Sequence, residues 1–131
     1  MTILIAYVPR PEGQAALDKA IEIATRRKEH LVVVNASPGG SKEDPSLADV
    51  QDFERVEQLL ANSGLSSEVK QFVRGKNAVE EIQALVGSLQ ASLLVIGLRK
   101  RTAVGKLIMG SVAQELLLSV SCPVLAVKSA G

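Results

Sequence analysis

The sequence predicts an α/β domain, an open sheet of five parallel strands with helices on both faces, in the flavodoxin-like strand order 3-2-1-4-5. Three observations carry that prediction. Short runs of β-branched or aliphatic residues alternate along the 131-residue chain with stretches of helical periodicity. Four of the five runs are almost continuously apolar, as strands covered on both faces must be. No linker or low-complexity segment divides the chain, so residues 1–131 read as a single domain, long enough to bury a core unaided by disulfides or metals.

The first strand is Ile3-Leu4-Ile5-Ala6-Tyr7-Val8. A helix follows near residues 11–28, with Pro11 suited to its first turn, Leu17, Ala20, Ile21 and Ala24 on one stripe, and Asp18, Lys19, Glu22 and Arg26 away from it. Leu31 to Val34 is the second strand. The second helix, near 45–62, starts after Asp44-Pro45, spaces Val50, Phe53, Val56 and Leu60 by three, three and four, and stops at Asn62-Ser63-Gly64. The third run, Ser67 to Val73, alternates and suits an edge. Asn77 then caps a third helix carrying Val79, Ile82, Val86 and Leu89, with Glu80 completing a capping box. Leu93 to Ile96 is the fourth strand. The fourth helix opens at Ser111, runs through Ala113, Leu116, Leu117 and Val120, and ends before Pro123; Val124 to Val127 is the last strand. Two connections, Ala36 to Asp44 and Gly97 to Met109, are longer than such a fold needs, which marks them as functional or mobile loops.

Composition narrows the function. The chain is 47% hydrophobic and 22% charged, with a net charge of +1, and its only aromatics are Tyr7, Phe53 and Phe72. So few rings cannot build a base-stacking surface, and a neutral total argues against a duplex binder; no nucleic-acid partner is expected. Single copies of cysteine (Cys122) and histidine (His30) exclude an internal disulfide and a His/Cys metal site. Cys122 reads as a small packed residue and His30 as a surface one. Thr2 to Val8 has no basic region before it and reads as a strand, not as a signal peptide or membrane span, so the cytoplasm is the expected address.

In this topology the chain winds in opposite directions from strands 1 and 4, and their carboxyl ends part to leave a ligand crevice. Its walls are Val8-Pro9-Arg10 and the segment from Gly97 to Lys106. Gly110-Ser111 at a helix N-terminus offers free N–H groups, a hydroxyl and a positive dipole end, a set that binds phosphate. Arg99, Lys100, Arg101 and Lys106 bring four positive charges and no acid to this loop, so the rest of the chain carries −3. An anionic ligand is the simple inference. The bland readings stand beside it: Ser111 as a helix cap partnered by Gln114, and the basic residues as a solvated loop.

Other anion-binding and catalytic schemes fit poorly. Gly97 lies too far from Gly105-Lys106 for a Walker loop, Leu107 replaces its hydroxyl residue, and no Gly-x-Gly-x-x-Gly follows the first strand. The strand ends Tyr7-Val8-Pro9 and Phe72-Val73-Arg74 lack the acids of a phosphoacceptor domain. With no carboxylate expected at the crevice mouth, a nucleophile and a base cannot be placed together, and no enzymatic activity is expected.

Gly97 to Val112 and the ending Ser121-Cys122-Pro123-Val124-Leu125-Ala126-Val127-Lys128 resemble the signature of the universal stress protein family. Its nucleotide-binding members carry Gly, two residues, Gly, nine residues and Gly-Ser or Gly-Thr, then close on a Cys-Pro-Val-aliphatic strand. The opening Ile3 to Tyr7, with Pro11-Glu12-Gly13 before Ala15-Ala16-Leu17, is also similar, so the likeness spans nearly the whole chain. It implies the adenine nucleotide alpha hydrolase-like variant of the fold. ATP or another adenine nucleotide, with or without magnesium, would lie with its base against Ala6, Tyr7, Val8 and Ala36. Its ribose and phosphates would meet Gly97, Arg99, Lys100, Gly110, Ser111 and Val112. Hydrolysis is expected to be slow at most. Two positions depart from the pattern. Lys100 occupies the second glycine, where it either obstructs the phosphates or supplies a charge, and Val8 stands where ATP-binding members carry an Asp. These departures leave a second reading open, an interaction module of the same fold that has lost nucleotide binding.

The last strand forms an edge of four apolar residues, Val124, Leu125, Ala126 and Val127, followed by Lys128 alone as a charge. Exposed apolar edges invite pairing, so a homodimer through this strand is expected, which the family resemblance also implies.

Overall fold

In the computed structural model, residues 1–35, 50–71, 78–101, 106–108 and 110–129 are described, the side chains of residues 100, 101, 106–108 and 111 excepted. The elements run β1 (Thr2–Tyr7), α1 (Pro11–Arg27), β2 (His30–Asn35), α2 (Val50–Ser63), β3 (Ser67–Gln71), α3 (Ala78–Ser88), β4 (Ala91–Arg101), β5 (Lys106–Ile108), α4 (Ser111–Ser119) and β6 (Val124–Lys128). The parallel strands lie in the order β3-β2-β1-β4-β6, which is the expected 3-2-1-4-5 once the short β5 is set aside.

The continuous apolar runs are explained by a core on each face. Ile3, Ile5, Tyr7, Leu31, Val33 and Val95 point to α1 and α2, where Ala16, Leu17, Ala20, Ala24, Val56 and Leu60 meet them. Their alternates Leu4, Ala6, Val32, Val34, Leu94 and Ile96 point to α3 and α4, against Val79, Ile82, Val86 and Leu116. Strand side chains alternate between faces, so a strand buried on both must be apolar at every position.

Two expectations need correction. The segment after the fourth strand is not a loop throughout: β4 runs on to Arg101, and its last three residues pair antiparallel with β5, Arg99 opposite Ile108, Lys100 opposite Leu107 and Arg101 opposite Lys106. Side-chain charge reads as loop, but it does not stop a strand whose described residue, Arg99, is exposed. Ser111 is also not the cap of α4. Gly110 holds that position in extended conformation (φ −63°, ψ 158°), Gln114 N–H donates to its carbonyl at 2.9 Å, and Ser111 is the first helical residue.

The outer strands of the parallel sheet differ. β3 carries Glu68 and Lys70 in an ion pair at 3.6 Å, with His30 of β2 3.2 Å from Glu68, whereas β6 carries Val124 to Val127. Among the described residues no helix is long and apolar enough to cross a membrane.

Candidate functional site

The crevice at the carboxyl ends of β1 and β4 is walled by the first turns of two helices. On one side the chain leaves β1 through Val8, Pro9 and Arg10, tied by the Arg10 N–H donating to the Val8 carbonyl at 2.8 Å. Arg10 is the N-cap of α1 (φ −142°, ψ 166°) without a side-chain cap bond, and Pro11 takes the first helical position. On the other side α4 starts from Gly110, also without a side-chain cap. Both helices therefore turn the positive ends of their dipoles toward the crevice.

Two glycines hold α1 in place. A Cβ at Gly13 would overlap the Val8 carbonyl oxygen, and a Cβ at Gly97 would stand 2.7 Å from the Glu12 carbonyl carbon and closer still to its oxygen. The first turn of α1 is thus seated directly on the exits of β1 and β4. Gly97, singled out by sequence as a ligand contact, has a packing reason to be glycine. At Gly110 a Cβ would meet nothing within 4 Å, so no neighbour among the described residues accounts for that glycine.

The same seating carries Glu12 inward. Its side chain is only 8% exposed, and Arg99 Nε donates to Oε2 at 3.1 Å, with the Arg99 side chain 48% exposed. Glu12 Oε1 is buried with no hydrogen-bond partner among the described residues. A carboxylate therefore stands at the crevice mouth, against the expectation of none there. The helical stripe read from Leu17 onward does not reach position 12; the approach of Gly97 and Gly13 buries it. A glycine directly after an apolar strand run is the signal that could have found this contact.

Of the other candidates, Ala6, Val8 and Val112 come together on the α3/α4 face, with Ala6 buried and the other two packed against that core. Tyr7 points the opposite way. Its hydroxyl donates to Asp52 Oδ2 at 2.7 Å and accepts from Arg55 Nη2 at 3.0 Å, and Arg55 also binds Asp52 at 3.1 Å. Burial first, then the Asp52 carboxylate, hold the phenol well above its ordinary pKa of 10. What Tyr7 presents toward the strand ends is its carbonyl, which accepts from Asn35 Nδ2 at 3.0 Å; Asn35 Oδ1 in turn accepts from Gln71 Nε2 at 3.1 Å. Sequence reasoning missed this brace, although parallel register sets Tyr7, Asn35 and Gln71 side by side. Ala36 and the side chains of Lys100 and Ser111 lie outside the described residues.

Cys122 is half-buried, and burial pushes its thiol pKa up, away from reactivity. His30 sits at the opposite end of the sheet, its ring nitrogens 2.7 Å from Ser66 Oγ and 3.2 Å from Glu68 Oε1. Among the described residues no group of three or more His, Cys, Asp or Glu could hold a metal ion.

Comparison with known proteins agrees with this architecture. A family model described as the universal stress protein family matches residues 1–128. A universal stress protein from Mycolicibacterium smegmatis is 45% identical over 129 residues, covering 98% of each chain. The solved structure of a universal stress protein from Archaeoglobus fulgidus superposes with a TM-score of 0.76 at 29% identity, covering 97% of each chain. A second Archaeoglobus fulgidus structure, in complex with dAMP, shares the fold with a TM-score of 0.70 at 23% identity over 97% of this chain and 96% of that one. On the strength of the full-length family match and the relative sharing nearly half its residues, the chain belongs to the universal stress protein family.

Proposed function

We propose that the protein binds an adenine nucleotide across the carboxyl ends of β1 and β4 and acts, as a cytoplasmic homodimer, through ligand-dependent shape or partner binding. One observation carries the reading: α1 and α4, the helices that follow the exits of β1 and β4, both start without side-chain caps, and the half-exposed Arg99 guanidinium stands beside the first turn of α1. Helix N-termini and a guanidinium are suited to phosphate. The base would lie against Ala6, Val8 and Ala36, and the phosphates near Gly97, Arg99, Lys100, Gly110 and Ser111. Structures of the same fold carry dAMP, cAMP and AMP, which supports an adenine nucleotide as the ligand class. ATP with magnesium is the larger member of that class; the metal would ride on the phosphates, given the donor set described above.

Two experiments test this. The purified protein is denatured and the supernatant examined for nucleotide by mass spectrometry, then AMP, ADP and ATP are titrated calorimetrically into nucleotide-free protein. No released nucleotide and no heat at millimolar ligand would overturn the reading in favour of an interaction module, for which the engagement of Arg99 by Glu12 is the supporting observation. The dimer is proposed through the β6 edge, beside which Ile23, Leu93, Val124 and Leu125 line an open apolar groove of about 450 Å³ flanked by Arg26 and Arg27. A monomer at micromolar concentration in sedimentation would refute it.

A further inference from the structure

We propose that Glu12 is the positioning residue for Arg99, holding its guanidinium so that the terminal nitrogens meet a phosphate in the crevice, an inference that rests on the nucleotide reading above. Glu12 is the fixed member of the pair. Its backbone lies against Gly97 and its side chain is 8% exposed, whereas the Arg99 side chain is 48% exposed and, left free, would spread over many rotamers. The bond uses Nε, the inner nitrogen, at 3.1 Å. That leaves Nη1 and Nη2, a planar fork of four N–H groups, available to an anion.

The pair also resists being pulled apart. Glu12 Oε1 is buried with no hydrogen-bond partner among the described residues, so withdrawing Arg99 would strand a buried carboxylate without its cation. An entering phosphate is therefore met by Arg99 where it stands. The backbone contributes as well, because pairing of Arg99 with Ile108 fixes the strand from which the side chain reaches back to α1.

Calorimetry with AMP and adenosine on wild type, Glu12→Gln, Glu12→Ala, Arg99→Gln and the Glu12→Ala/Arg99→Gln double variant decides the matter. AMP is expected to bind roughly tenfold more weakly to Glu12→Ala and to Arg99→Gln, with the double variant no weaker than Arg99→Gln. Glu12→Gln keeps an acceptor for Nε and should stay within about threefold of wild type. Adenosine, which lacks the phosphate, should bind all of them alike, a result that general damage to the fold would not give. Where Glu12→Ala does not fold, Glu12→Asp, which withdraws the carboxylate by one methylene, carries the same expectation. Tighter AMP binding on loss of Glu12 would make the carboxylate a competitor for Arg99 and overturn the inference, as would additive losses or equal losses for adenosine. Wild-type protein that binds AMP with no dependence on Glu12 overturns this inference alone; wild-type protein that binds no adenine nucleotide overturns the nucleotide reading and this inference with it.

Discussion

Replacing Gly97 with alanine separates the two reasons that position has for being glycine. The new Cβ would stand 2.7 Å from the Glu12 carbonyl carbon, and all but one of the atoms it meets are backbone. Non-bonded carbons prefer about 3.5–4 Å, so the first turn of α1 must retreat from β4 by the better part of an ångström, with no flexible side chain to absorb the change. Overpacking of this kind costs about 1–3 kcal/mol, and the backbone obstruction argues for the upper end. Taking a glycine out of a strand returns about 0.5–1 kcal/mol. The net loss is about 2 kcal/mol, which for a domain of this size lowers Tm by roughly 6–10 °C. Urea unfolding of nucleotide-free protein is the assay, and the midpoint should fall with the slope unchanged. Gly110→Ala is the control: nothing among the described residues lies within 4 Å of its Cβ and its φ is −63°, so it should lose only the roughly 0.5–1 kcal/mol by which glycine exceeds alanine at an N-cap. If Gly97→Ala unfolded at the wild-type midpoint, the close seating of α1 on β4 would be wrong and the glycine would answer to a ligand only.

Tyr7 is the only tyrosine, so its ionisation can be read directly at 295 nm. Its folded-state pKa is raised above the ordinary 10, so the stability it contributes is complete below about pH 10 and is lost as pH climbs through the folded value. Tyrosinate absorbance should therefore be absent at about pH 11 in folded protein and arrive with unfolding; a titration centred near 10 with native circular dichroism would contradict this. Tyr7→Phe should cost about 1–2 kcal/mol by removing the hydroxyl shared by Asp52 and Arg55. On α4, Leu116 is fully buried and Leu118 is 80% exposed. Leu116→Ala should cost about 2–5 kcal/mol and Leu118→Ser less than about 0.5, and equal costs would mean that the helix is turned differently.

Much of the architecture was legible because it rests on local periodicity. The unbroken apolar runs of β1, β2 and β4 meant burial on both faces, and the two cores divide their side chains alternately. Pro11 marked the start of α1 within the residue. What escaped depends on residues far apart in the chain. Arg99 and Glu12 are neighbours only because two glycines let α1 settle on the strand exits, and no periodicity reports that. Arg99-Lys100-Arg101 reads as loop by its charge, whereas the strand continues through it on backbone pairing with β5, and the described Arg99 side chain is exposed. The crevice follows from topology, and Gly97 and Arg99 lie on β4 with Gly110 at the start of α4. The commitment of Tyr7 to α2 was not visible, because an aromatic at the end of a core strand carries no mark of the face its hydroxyl will choose.

The unlike rims of the sheet bear on how far any assembly could grow. A chain with an adhesive rim on each side can add copies without end, and a fibre is the outcome. Here the β3 rim carries Glu68, Lys70 and the His30 ring that faces Glu68, with Val69 between them packed on the core, while β6 presents four apolar residues in a row. The proposed dimer would join β6 to β6 and close by two-fold rotation, which would end growth at two copies. The charges that would keep such an assembly from growing further sit on β3, at the opposite rim of the sheet from β6.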